Sequence, residues 1–128
     1  MQLLLDTHAL LWWVDGGGEL SAAQRRAIGR SGNQVFVSAA SAWEMAIKAS
    51  LGKLQLASPV GDYISRHLLA NRFQLLNITL EPAARVEALP YHHRDPFDRL
   101  LVAQAKEENL TVVSKDPLFA RYGVRRIA

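Results

Sequence analysis

Cysteine is absent from the 128 residues. Its absence excludes disulfides, thiolate zinc sites, iron–sulfur clusters and a cysteine nucleophile, and fits a reducing cytosol. Long apolar runs are missing too. The longest, Ala9 to Val14, falls far short of the ~18 residues that suggest a membrane span. No positively charged start precedes it, and Asp6 and His8 interrupt the apolar N-terminus, so no signal peptide is expected. Proline and glycine are sparse, at five and eight residues, and form no linker or low-complexity tract. The chain is 49% hydrophobic and 21% charged with both signs mixed, which argues against disorder. Gly52-Lys53-Leu54 lacks the Ser/Thr and upstream Gly of a phosphate-binding loop. These exclusions leave a soluble, cytoplasmic protein folded as a single domain over residues 1–128.

Charge is modest, at net +3, but uneven. Residues 1–24 hold Asp6, Asp15 and Glu19 and no Lys or Arg, so the basic excess lies wholly beyond them. Such an excess suits a polyanionic partner, and equally an ordinary solvated surface.

Short apolar or β-branched runs alternate with helical stretches. Gln2–Leu5, Gln34–Val37, Phe73–Ile78 and Leu110–Ser114 read as strands, with Val124–Ile127 as an edge strand. Helices are expected over Thr7–Val14, Ser21–Arg30, Ala39–Leu51, Pro59–Arg72, Glu81–Ala88 and Pro96–Asn109, with a short one opened by Asp116-Pro117. Gly16–Gly18 reads as a plain linker and Tyr91–Arg94 as a polar loop, whose His92 and His93 could bind metal but read first as solvated. Trp12, Trp13 and Trp43 sit among apolar neighbours and read as core or interface. The alternation predicts an α/β fold with a parallel sheet covered on both faces. Sites in such sheets form beyond the carboxyl ends of the strands.

Four acids, Asp6, Glu44, Asp98 and Asp116, stand at or just beyond those ends or in the first turns of the helices that follow. Each has a plain structural explanation. Asp6 can cap the helix at Thr7, Ser41-x-x-Glu44 matches a capping box, Asp95-Pro96-x-Asp98 is a regular helix start, and Asp116-Pro117 is a turn signature. As a set they mean more, because four carboxylates gathered at one sheet edge repel unless protons or cations intervene. Two hard divalent cations bring a matching charge and, ~3.5–4 Å apart, can activate water and stabilise the leaving oxygen of a phosphodiester.

The motifs around these acids resemble those of the PIN-domain ribonucleases, specifically the toxins of VapBC-type toxin–antitoxin pairs. Leu3-Leu4-Leu5-Asp6-Thr7-His8-Ala9 is similar to the family's opening strand and first acid, and Val37-Ser38-Ala39-Ala40-Ser41-Ala42-Trp43-Glu44 to its second motif. His93-Arg94-Asp95-Pro96-Phe97-Asp98-Arg99 resembles the third, and Val113-Ser114-Lys115-Asp116-Pro117 the fourth, with Ser114 where Thr is common.

The resemblance implies a three-layer α/β/α sandwich around a mainly parallel sheet of about five strands. It implies an endoribonuclease dependent on Mg²⁺ or Mn²⁺, with Asp6, Glu44, Asp98 and Asp116 as metal-binding acids and water attacking the scissile phosphate in line. Thr7, Ser38, Asp95 and Ser114 would support those acids. Arg94 and Arg99, by position and fork geometry, would hold flanking phosphates of the RNA. A homodimer and a cognate antitoxin covering the acids are implied as well, with Leu10–Val14 contributing to an interface. Two rival readings stand beside it. One is a non-catalytic basic RNA- or protein-binding module whose acids are helix caps. The other is a phosphatase with Asp6 as nucleophile, which would place its second acid at position 8, where His8 stands.

Overall fold

The computed structural model describes all of residues 1–128. Its strands, β1 (Gln2–Leu5), β2 (Gln34–Ser38), β3 (Gln74–Leu76), β4 (Thr111–Val113) and β5 (Arg126–Ile127), form one sheet in the order β3-β2-β1-β4-β5. All four pairings are parallel. β1 runs level with β2 from Gln2–Gln34 to Leu5–Val37, and with β4 from Leu3–Thr111 to Leu5–Val113. The chain builds outward from β1 through β2 to β3, then crosses back to β4 and β5. The order therefore reverses between β1 and β4, where such sheets open a crevice at their carboxyl edge.

Leu3, Leu4 and Leu5 are fully buried because successive strand residues face opposite layers, both covered. Leu3 and Leu5 join Val35, Val37 and Val113 beneath α1 (Thr7–Val14), α2 (Ala22–Gly29), α3 (Ala39–Ser50) and α4 (Val60–Asn71), through Leu10, Ile28, Met45 and Ile64. Leu4 and Val112 face the other way, onto Leu101, Val102 and Ala105 of α6 (Pro96–Glu108), with Phe119 and Tyr122 from a 3₁₀ turn over Pro117–Tyr122. Each buried Leu contributes about 2 kcal/mol relative to exposure. The result is the expected three-layer α/β/α sandwich, its sheet parallel throughout. No helix is long and apolar enough to cross a membrane.

Most element ends follow the local chemistry read from the sequence. Ser21 and Gln24 make a reciprocal capping box on α2, and Asp95 caps α6 ahead of Pro96. Three local readings change. Ser38, not Ser41, caps α3, accepting from the Ala40 N–H at 2.9 Å, so Glu44 lies beyond the first turn and is free of a capping role. The expected helix 81–88 splits into α5 (Leu80–Arg85) and a 3₁₀ turn over Val86–Ala88. Gly16–Gly18 is no slack linker: the Gly17 N–H donates to the Trp12 carbonyl at 2.7 Å, with φ of 100° at Gly16 and 78° at Gly17. That left-handed turn suits glycine.

Candidate metal centre

Four helical starts converge on the crevice between β1 and β4, each bringing an acid. Asp6 ends β1 and caps α1, its Oδ1 accepting the Ala9 N–H at 2.8 Å, and only 7% of the residue is exposed. Glu44, 5% exposed, reaches in from the second turn of α3. Its Oε1 accepts from the Thr7 hydroxyl at 2.6 Å and its Oε2 from Lys48 Nζ, also at 2.6 Å. Asp95 Oδ1 accepts the N–H groups of Phe97 and Asp98, which aligns the first turn of α6 and Asp98 on it. Asp116 caps the Pro117–Tyr122 turn, with Oδ1 accepting the Leu118 N–H at 2.9 Å.

These side chains surround a cleft of about 130 Å³, lined by Asp6, Thr7, His8, Glu44, Lys48, Asp95, Asp98 and Asp116 and by no apolar residue. A larger hollow of about 780 Å³ opens beside α2, but its lining holds no carboxylate or histidine. Size does not mark the chemistry here; convergence does. Ser38 and Ser114 stand behind the cleft. Ser38 donates to Gln104 Oε1 at 2.5 Å, tying α3 to α6, and Ser114 Oγ accepts the Asp116 N–H at 3.0 Å.

Burial is the main reason Asp6 and Asp98 resist ionisation. It pushes the Asp6 carboxyl above its ordinary range, against hydrogen bonding from Ser114 and the Ala9 N–H. Asp98 is pushed up to about 7, by burial first and by the neighbouring Asp95 second, with His93 acting in the opposite direction. Mutual repulsion, which the sequence puts first, comes after desolvation. Hydrogen bonding to Glu44 raises Lys48.

Arg99 departs from its expected role. It is 4% exposed and its guanidinium is spent internally, on the carbonyls of Pro90 at 2.8 Å, Val86 at 3.1 Å and Leu89 at 3.2 Å, with the Tyr91 ring stacked on it. A helix turns ~100° per residue, so the residue after Asp98 faces away from the cleft and fastens the segment before α6. Arg94 stays exposed in the loop preceding α6.

His93 is the residue that sequence reasoning missed. Expected in solvent, its side chain is 14% exposed, and its Nε2 lies 2.8 Å from Asp116 Oδ2 and 3.0 Å from Asp98 Oδ2. The only available signal was its position two residues ahead of the cap Asp95, whose N–H turns back to His93 Nδ1.

The donor set fits a hard divalent cation. Carboxylate oxygens dominate, thiolates are absent, and buried acids lack matching cations apart from Lys48. His93, Asp98 and Asp116 bring nitrogen and oxygen atoms within 4.8 Å of one another.

The chain is similar to known proteins along nearly its whole length. The chain is 36% identical over 115 residues to Ribonuclease VapC22 of Mycobacterium tuberculosis (strain ATCC 25618 / H37Rv), a match covering 89% of this chain and 86% of the relative. Its fold is shared by VapBC2 from Rickettsia felis bound to a promoter DNA fragment, with a TM-score of 0.71, 13% identity and coverage of 99% and 98% of the two chains. DNA-bound VapBC from Salmonella typhimurium gives 0.70 at 17% identity, over 99% and 97%. The PIN domain description matches residues 3–125, and with the acids of all four motifs gathered at one sheet edge the chain belongs to the PIN domain family.

Proposed function

We propose that this chain is a Mg²⁺- or Mn²⁺-dependent endoribonuclease, a single PIN domain over residues 1–128 that serves as the cytoplasmic toxin of a toxin–antitoxin pair. The observation that carries the reading is the cleft itself: four acids from separate stretches of sequence, lining one small hollow without an apolar wall. Asp6, Glu44, Asp98 and Asp116 would hold the cation. When bound, it supplies the charge that activates water and stabilises the leaving oxygen of a phosphodiester. Thr7 and Lys48 fix the two oxygens of Glu44. Asp95 orients the first turn bearing Asp98, and Arg94 is free to meet a flanking phosphate. The 36% identical relative is itself a ribonuclease, which supports RNA as substrate.

The module reading, in which the acids only cap helices, has real support, since Asp6, Asp95 and Asp116 all do so. Capping occupies one oxygen of each carboxylate and leaves the second available, so the two roles coexist. Glu44 and Asp98 cap nothing, which favours the metal reading.

Two apolar surfaces support the proposed partners. A hollow of about 460 Å³ between α1 and α4 is lined by Leu11, Trp12, Val14, Leu54, Leu56 and Tyr63, suited to an antitoxin segment. Leu10 is core, so the usable stretch begins at Leu11. Trp43 and Ile47 on α3 and Leu51 at its C-cap lie exposed at four-residue spacing, a stripe suited to a homodimer. The solved VapBC relatives are complexes by their names.

Incubating labelled RNA with the protein tests the reading. Internal cleavage should require Mg²⁺ or Mn²⁺, stop with EDTA, and be lost in Asp6→Asn. Metal-independent RNA binding without cleavage would favour the module instead, and a trapped aspartyl-phosphate the phosphatase.

A further inference from the structure

We propose that His93 is a positioning residue that clamps Asp98 and Asp116 together through its Nε2–H, and is not itself a ligand of the cation. The inference rests on the metal reading of the cleft and adds to it. With one nitrogen and two carboxylates so close, a His-Asp-Asp ligand set is the obvious alternative. The other ring nitrogen decides between them.

The Asp95 N–H donates to His93 Nδ1 at 3.2 Å. The Nδ1 that accepts carries a lone pair, so the ring proton sits on Nε2. From there it faces Asp116 Oδ2 at 2.8 Å and Asp98 Oδ2 at 3.0 Å. A ligating Nε2 would have to be bare, with its proton moved to Nδ1 and aimed at the Asp95 N–H, donor against donor. Turning the ring over would abandon both contacts. Its backbone is also held, because the His93 N–H donates to Tyr122 Oη at 2.8 Å, and the ring lies against Phe119.

Asp95 therefore has two effects. Its side chain starts the helix that carries Asp98, and its backbone sets the tautomer that joins Asp98 to Asp116. The two acids come from different elements, α6 and the turn after β4, and the imidazole bridges them. Glu44 is held in a comparable way by Thr7 and Lys48. Outer hydrogen bonds of this kind hold ligating carboxylates in place, and their loss typically costs 10–100-fold in metal affinity.

Three measurements test the clamp. In ¹⁵N-labelled, metal-free protein, long-range ¹H–¹⁵N spectra should show the His93 ring protonated at Nε2, the signal being assigned by its loss in His93→Gln. A ring protonated at Nδ1 overturns the proposal. In Mn²⁺ titrations followed by calorimetry, His93→Ala should bind on the order of 10-fold or more weakly. His93→Gln, whose side-chain N–H can replace the Nε2 donor, should recover most of the affinity. Electron spin-echo modulation of Mn²⁺-loaded wild-type protein should show no directly bound nitrogen. A bound nitrogen, or a glutamine variant as weak as the alanine one, overturns the clamp. If wild-type protein fails to take up Mn²⁺ at all, the metal reading falls, while the metal-free spectrum still decides the tautomer.

Discussion

The two edges of the sheet carry opposite chemistry. At the carboxyl edge, Asp6, Glu44, Asp95, Asp98 and Asp116 crowd a hollow of about 130 Å³. Beside the amino edge, Arg25, Arg26 and Arg30 line an open one of about 780 Å³. Parallel topology accounts for the division. β1 to β4 each lead into a helix or 3₁₀ turn at the same edge, so N-termini, with their free N–H groups and positive dipole ends, collect where the carboxylates are. The C-terminus of α2 returns to the other edge, where Arg26 in its last turn and Arg30 at its cap complement the negative end. The arginines are exposed there. Asp6 and Glu44 are buried and the other acids half-buried, and the cost of burying them separates a site from a charged surface.

The largest expected effect breaks that symmetry of appearance. Asp98→Asn should lower Mn²⁺-dependent RNA cleavage by on the order of 10²–10³-fold, as for loss of one electrostatic contact with the transition state. Arg26→Gln should leave the rate unchanged in the same gel assay. An equal loss in both would mean that the edges do not differ in role.

Adjacent arginines sharpen the comparison next. Arg99→Ala strands the carbonyls of Val86, Leu89 and Pro90 that it now satisfies, and should reduce stability by about 3 kcal/mol in urea unfolding. Arg94→Ala, on the exposed loop, should stay within about 0.5 kcal/mol of the parent. It should instead weaken RNA binding and reduce its salt dependence.

Smaller and dependent on pH is the stability effect of Asp98. Its carboxyl sits near 7 when folded, against 3.8 for the ordinary group. The folded, metal-free chain therefore binds that proton more tightly than the unfolded chain does. The resulting stabilisation is complete below about pH 4 and is lost as pH rises through about 7. Asp98→Asn should remove this slope and stabilise the metal-free protein at pH 8 by on the order of 2 kcal/mol, read as a melting temperature about 5 °C higher. A lower melting temperature at pH 8 would show that the carboxylate is not strained there.

Much of this was legible in the sequence because the signals were local. Leu3-Leu4-Leu5 is apolar at every position since both faces of β1 are covered, and Asp6, Ser21 and Asp95 cap the helices they precede. The four acids could be placed at one edge because parallel topology sends all strand ends there. What was illegible depends on direction in space. Arg99 follows Asp98 by one residue yet faces the opposite side of α6, toward carbonyls nine to thirteen positions back. His93 looks like a solvated loop residue until β4 brings Asp116 beside it, 23 positions away. Ser41 and Glu44 match a capping box by spacing, but Ser38 starts the helix first, and Ser41 meets Thr7 instead.

The most direct test of the central claim is anomalous diffraction from crystals soaked in Mn²⁺. The account predicts one or two peaks in the cleft, within coordination distance of carboxylate oxygens from Asp6, Glu44, Asp98 or Asp116. Saturating Mn²⁺ that leaves the cleft without a peak, or that binds only elsewhere on the surface, would contradict it.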